Sequence, residues 1–316
     1  MDDLPQEKID QFLETARRER NYALPARTSR EKTLSHLNLL DDGRPAHAAI
    51  LLFGKNPQRF LPSSELKCMH FHGVKVSKPI PSYQIFKGTV FELVDQAVDF
   101  VLSKIARSVG TREHGPQAPV EYELPKQAVA VAEAIVNAVA HRDYTSNASV
   151  QVMLFADRLE VWNPGELPPA LTPERLREPH ASIPRNPLIA EPLFLAHYVE
   201  KAGTGTLDMI DRCREAGLLA PQFEQRGGFF VTTLWRDWLS DEVMAKLDLN
   251  DRQKRAVAII KAQGRITNRE YREQTGVIIR TASRDLEDLV DKGVLKKVGT
   301  TGRNIFYVLS GKLDIK

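Results

Sequence analysis

The stretch Glu133-Ala-Ile-Val-Asn137-Ala-Val-Ala-His141-Arg142-Asp143-Tyr144 constrains the fold of this chain more than any other. Val129, Ala132, Ile135, Val136 and Val139 recur at helical spacing and fill one side of a helix with apolar groups. Glu133, Asn137 and His141 stand at i, i+4 and i+8, which makes a polar stripe along the other side. A carboxylate and an amide in so apolar a helix need partners, because burying either one unpaired costs several kcal/mol. Neighbouring loops could supply those partners, and so could a ligand or a metal. Spacing alone leaves both open.

With 316 residues the chain is long enough for about two domains and a sizeable core. A hydrophobic content of 42% and a charged content of 27% place it among ordinary globular proteins rather than disordered or fibrous ones. There is no apolar run of about 18 residues, so no membrane span is expected. Met1-Asp2-Asp3-Leu4-Pro5 lacks the basic and apolar halves of an export signal, so the expected location is the cytoplasm. Cys68 and Cys213, far apart in sequence, do not make a disulfide framework or a zinc cluster. The net charge of +3 is unevenly spread. From Asn250 to Lys316 fifteen Lys and Arg face eight Asp and Glu, a balance of +7, which leaves −4 on the rest. A basic C-terminal segment behind an acidic body points to an anionic partner for that segment.

Along the chain, Ile9, Phe12, Leu13 and Ala16 mark an N-terminal helix, and Thr28-x-x-Glu31 reads as a capping box for a second helix through Leu40. The apolar run Ala48–Phe53 is expected as a buried strand, followed by a strand from Leu66 to His72. His70 and His72 alternate on that strand without nearby Cys or further acids, and are read as structural. Thr89 to Val109 has the pattern of a long amphipathic helix, and Arg107 to Pro119 that of a polar linker. A short strand, Val120 to Leu124, leads into the opening helix, whose first turn suits Pro125. Strands around Ala156-Asp157 form a hairpin that breaks at Asn163-Pro-Gly165. Pro179 to Pro192 reads as a lid or irregular loop, and Leu193 to Lys201 as a helix. Gly203-Thr204-Gly205-Thr206 precedes an apolar-periodic helix, the form of an anion site at a helix N-terminus. Gly228 to Trp235 is a strand, and Asp237 to Asn250 joins the body to the basic segment.

The C-terminal segment shows three helices, Arg252–Gln263, one capped by Thr267-x-x-Glu270, and Ile279–Lys292, then two strands around Gly299-Thr-Thr-Gly302-Arg303. This order resembles a winged helix-turn-helix domain, in which the third helix enters the major groove and the wing lies on phosphates. On that reading Arg280, Thr281, Ser283 and Arg284 face base edges or backbone, and Arg303 meets phosphate.

Three elements occur in order: Glu133-x-x-x-Asn137, Asn163-Pro-Gly165 after a strand, and the Gly203 loop. Together they resemble the GHKL (Bergerat) nucleotide-binding fold of gyrase B, histidine kinases, heat-shock chaperones and MutL-type repair proteins. The longer phrases Asn137-Ala-Val-Ala-His141-Arg-Asp-Tyr144, Val161-Trp-Asn-Pro-Gly165, Pro184-Arg-Asn-Pro187-Leu-Ile and Glu200-Lys-Ala-Gly-Thr-Gly205 are similar to a prokaryotic family. Its members are described as transcriptional regulators or as RecG-like, ATP-dependent DNA helicase-related proteins. The resemblance covers about Asp2 to Trp235. It implies that Asn137 holds Mg²⁺ with the nucleotide, that Glu133 is a possible general base, and that Asn163 and Gly165 lie at the adenine. Gly203, Thr204, Gly205 and Thr206 would wrap the phosphates. Members usually begin with a Schlafen-type AlbA domain, and this chain starts after the place where that domain would sit. Asn163 stands where the wider fold has an Asp, Leu167 where it has a second Gly, and Ala140 where it often has another Asp. Binding of ATP is therefore expected more than hydrolysis. No phosphate-binding Lys loop and no paired motor domains are visible, so helicase activity is not expected.

The expected architecture is α+β: a two-layer α/β sandwich of GHKL type plus a winged helix-turn-helix. The expected boundaries are an N-terminal α/β region at 1–119 packed on the next domain, an ATP-binding-like domain at 120–238, a linker at 239–250 and the winged helix at 251–312. The expected function is a DNA-binding transcriptional regulator with a nucleotide-sensing domain, acting on double-stranded DNA as a homodimer. The alternative is an ATPase working with DNA or a protein partner.

Overall fold

Helix α1 (Gln6–Arg20) forms where Ile9, Phe12, Leu13 and Ala16 recur, and these four are its buried residues. The computed structural model describes all residues except 26, 74, 106–107, 110–121, 124–127, 156, 201–202, 217, 237–238, 240–243, 245–246, 264, 300–304 and 310–316. Helix α2 (Arg30–His36) departs from expectation at both ends. Its N-cap is Ser29, and the Thr28 hydroxyl instead donates to Pro25 O at 2.7 Å. The anticipated Thr28–Glu31 capping box therefore does not form.

Strands β1 (Leu40–Asp41) and β2 (Arg44–Pro45) make a tight hairpin. The run Ala48–Phe53, expected as a strand, is helix α3 (His47–Phe53). Ala and Leu favour helix. All of Ala49 to Phe53 are buried, so no polar position marked the period in the sequence. Strands β3 (Leu66–His70) and β4 (Ser82–Phe86) precede helix α4 (Val90–Lys104), which opens on a Thr89–Glu92 capping box. This helix stops short of the expected Val109, because Ser108–Val109 is strand β5 and pairs with β6 (Tyr122–Glu123). Most of the expected linker at 107–119, and Pro125, lie outside the described residues.

Helix α5 (Ala128–Ala140) carries the Glu133 stripe. Ile135, Val136 and Val139 are buried as expected, but Val129, in the first turn, is 55% exposed. Strands β7 (Val150–Leu154) and β8 (Arg158–Pro164) follow as an antiparallel hairpin. Helix α6 (Pro187–Leu195) occupies part of the stretch expected as irregular. Pro187 suits its first turn, and Pro192 lies inside it. Burial of Ile189, Pro192, Leu193 and Leu195 outweighs the one missing N–H. Helix α7 (Gly205–Glu215) and strands β9 (Gln222–Arg226) and β10 (Phe229–Trp235) complete this part.

Six strands form one mixed sheet in the order β4-β3-β7-β8-β10-β9, with only β3 and β7 parallel. Val150, Val152 and Leu154 of β7 and Leu159 and Val161 of β8 alternate onto the face covered by α5 and α4. One apolar core runs from Leu4 to Leu234, so β3 and β4 share a sheet with the strands of residues 150–235. On the opposite face Phe71, Met153 and Phe155 cluster with Ile80 and Trp162.

A second core gathers helices α8 (Asp251–Gln263), α9 (Asn268–Thr275) and α10 (Ile279–Asp291) with the antiparallel strands β11 (Leu295–Val298) and β12 (Phe306–Leu309). Thr267 and Glu270 form the expected capping box of α9, and Gly276 ends it at φ +70°. Leu239, Met244 and Leu249, from the expected linker, pack into this core. Buried Asp285 accepts from Arg252 Nε and from the Tyr271 hydroxyl, both at 2.9 Å, and so ties the three helices together. Arg303 lies outside the described residues. No helix among the described residues is long and apolar enough to cross a membrane.

Candidate functional site

The polar stripe of α5 opens onto a cavity of about 420 Å³. Its floor is the sheet, at Val161, Asn163, Phe230 and Thr232. The N-terminus of α7 forms one wall and the segment from Glu166 to Glu191 covers it. The size suits a ligand of nucleoside dimensions, and the lining is largely apolar with a few convergent polar groups.

Glu133 and Asn137 stand one helical turn apart, and the Asn137 amide donates to Glu133 Oε1 at 3.0 Å. Burial raises the Glu133 carboxyl above its ordinary value; the Asn137 bond opposes the shift, and the Asp208 and Glu200 charges add to it. A carboxyl raised in this way is a stronger base than an exposed glutamate.

Gly205 begins α7 directly against this carboxylate. A Cβ there would lie 1.9 Å from Glu133 Oε1, so no other residue fits without moving the pair apart. Gly203 has φ +71°, and a Cβ on it would lie 2.1 Å from His180 O. Gly203 is thus required by its positive φ and the close backbone at His180, whereas a side chain at Gly205 would displace the Glu133 carboxylate. Thr204 makes no side-chain cap, which leaves the first amides of α7 available to an anion. Thr206 lines the cavity and its hydroxyl meets His180 Nε2 at 3.1 Å.

Glu133, Asn137, Asn163, Gly203, Gly205 and Thr206 line one cavity. Gly165 and Thr204 do not line it. Gly165 instead turns the chain at φ +123°, beside Arg185 and Asp143. Asn163 is buried. Its amide nitrogen, turned to the carbonyls around it, donates to Ala138 O at 3.1 Å and Pro164 O at 3.2 Å, tying β8 to α5.

The covering segment shows what sequence reasoning missed. Arg185 Nη2 pairs with Asp143 at 2.9 Å, and the Arg185 backbone N–H donates to His141 Nδ1 at 3.4 Å. Burial pulls the His141 imidazole below its ordinary value, which keeps it neutral and able to accept. Asn186 donates to Ala140 O at 2.9 Å and to Arg142 O at 2.8 Å, satisfying carbonyls at the end of α5. The phrases His141-Arg-Asp143 and Pro184-Arg-Asn-Pro187 are thus two halves of one clasp, and the only signal for it in the sequence was their joint presence. Arg142 is itself buried. It donates to Ser63 Oγ at 3.0 Å and Ala148 O at 2.7 Å, and lies 5.0 Å from the Tyr144 ring, so it holds structure rather than ligand.

Among the described residues no three His, Cys, Asp or Glu gather as a metal cluster. Asn137 and Glu133 alone could complete the shell of an ion that arrives with phosphate oxygens, the usual manner for Mg²⁺. His70 and His72 pack edge to face at 5.2 Å.

The expected DNA-facing residues lie on α10. Arg280 and Arg284 are exposed and Thr281 is half-buried. Ser283 is engaged within the protein, accepting from Asn268 at 3.1 Å.

Residues 147–234 match the family described as "Putative ATP-dependent DNA helicase recG C-terminal". A RecG-related, ATPase-like domain thus occupies this part of the chain, and the matched span holds β7 to β10, the cover and the Gly203 loop. Glu133 and Asn137 fall outside it and join the site through packing of α5. The chain is also similar to the crystal structure of the DIP2311 protein from Corynebacterium diphtheriae, with a TM-score of 0.56 and 21% identity. That match covers 97% of this chain and 61% of the other, so this chain spans about three fifths of that relative; the likeness is one of fold. No curated protein matches the chain.

Proposed function

We propose that this chain is a nucleotide-responsive, DNA-binding transcriptional regulator. The carrying observation is the Glu133–Asn137 pair facing the α7 N-terminus across one cavity. That geometry supports an adenine nucleotide with its phosphates at the Gly203–Gly205 turn and its Mg²⁺ at Asn137. When bound, such an ion would neutralise phosphate charge. The apolar floor would take a base, and the clasp of Arg185 and Asn186 would hold the cover in place.

The C-terminal unit, with its capped second helix, exposed Arg280 and Arg284 and a balance of +7 from Asn250 to Lys316, supports a winged helix on duplex DNA. One such helix reads a short half-site, which favours a homodimer on a two-fold operator. The matched family supports the ATPase-like half of this reading.

Melting the full chain with ATP or ADP, with and without Mg²⁺, tests the nucleotide half. A ligand at 100 times its Kd adds about 2.7 kcal/mol, a plain rise in Tm. No rise at millimolar nucleotide overturns this half. A second reading, turnover of ATP, is favoured by the raised carboxyl of Glu133.

A further inference from the structure

The apolar stripe of α10 outruns the core it serves. Ala282, Leu286 and Leu289 are buried, whereas Ile279, at the same helical spacing one turn earlier, is 62% exposed. Its neighbour Ile278, at the N-cap, is 69% exposed. Two adjacent branched side chains left in water mark a contact surface more than a lone exposed Leu would.

Charge indicates what meets it. Arg280 and Arg284 stand one turn apart on the exposed side, followed by exposed Glu287 and Asp291. Arg280 and Arg284 make no ion pair among the described residues. Only the first half of α10 can approach a polyanion, and that half carries the two isoleucines. Lys296 and Lys297 on β11 are exposed as well.

We propose that Ile278 and Ile279 contact thymine C5-methyl groups in the major groove, with Arg280 and Arg284 beside them on base edges or phosphate. The thymine methyl is the apolar group that this groove displays, and Arg suits the acceptors of guanine. The chain would thus select sites in which thymine lies next to guanine. This rests on the reading of the C-terminal unit as a duplex-DNA binder.

The test uses the full chain to enrich a duplex from a randomised pool, followed by gel shifts in which single thymines are replaced by deoxyuridine. That exchange removes only the methyl. The wild-type chain should lose about three- to fivefold in affinity at one or more positions, in line with one buried methyl. I278A/I279A, with its melting temperature unchanged, should bind more weakly and no longer distinguish thymine from uracil, while Ile279→Val keeps the distinction. Equal binding of the two duplexes by wild type, or discrimination retained by I278A/I279A, overturns the assignment. A chain that enriches no duplex and shifts none at low salt overturns the DNA-binding reading itself, and this assignment with it.

Discussion

Glu133 is held in a place that costs the unliganded protein stability. Its carboxyl is raised by burial, so the charged form is penalised in the folded state. The sign follows from linkage: stability from a raised carboxyl is full below the unfolded-state value and is lost as pH climbs through the higher folded value. Glu133→Gln keeps an oxygen for the Asn137 amide and removes the charge. Without ligand it should melt above wild type at about pH 7–8, and the gap should close towards about pH 4, where the wild-type carboxyl is protonated in the folded state and neither chain carries the buried charge. A melting series against pH checks this, and parallel curves would show that Glu133 is not the titrating group. If the site also turns over ATP, the same variant should release phosphate at least tenfold more slowly, the usual scale for a lost general base.

Elements meet at the site through carbonyl and amide bookkeeping at their ends. Helix α5 would finish with an open carbonyl at Ala140, and the turn after it with one at Arg142; Asn186, just ahead of α6, takes both. Asn186→Ala should therefore cost about 1–3 kcal/mol, the range for stranding buried acceptors. Urea unfolding reads that loss. The ATP-induced Tm rise should shrink in the same variant, because the cover is anchored through the residue beside Arg185. Full stability in N186A would mean that water replaces the amide and that the clasp contributes little.

Among the described residues two large cores stand apart, one from Leu4 to Leu234 and one from Leu239 onward. Asp285→Ala strands the buried Tyr271 hydroxyl in the second core only and frees the half-buried Arg252. It should destabilise the C-terminal unit by about 1–3 kcal/mol and weaken DNA binding while leaving the nucleotide-induced shift intact. Calorimetry with and without ATP distinguishes the two effects. Loss of the nucleotide shift in D285A would show that the cores act as one cooperative unit.

What the residues alone determined lies within a few positions along the chain. The capping box Thr267–Glu270, the strands β7 and β8, and the i, i+4 placement of Glu133 and Asn137 are short-range and were legible. The C-terminal order of helices and strands followed the hydrophobic period, whereas β4 and β9 of the six-stranded sheet had no signal that was read from the sequence. Other features depended on distant partners. Ala48–Phe53 became a helix because burial on all sides erased its period. Ser29 displaced Thr28 as a cap when Thr28 found Pro25 O. His141 and Asp143 acquired their roles from Arg185, and Glu133 acquired its raised carboxyl from burial, with the Asp208 and Glu200 charges adding to it. Local spacing places a side chain on a face; folding brings the face opposite, and with it the charge, burial and hydrogen bonds that turn the Glu133 stripe into a site.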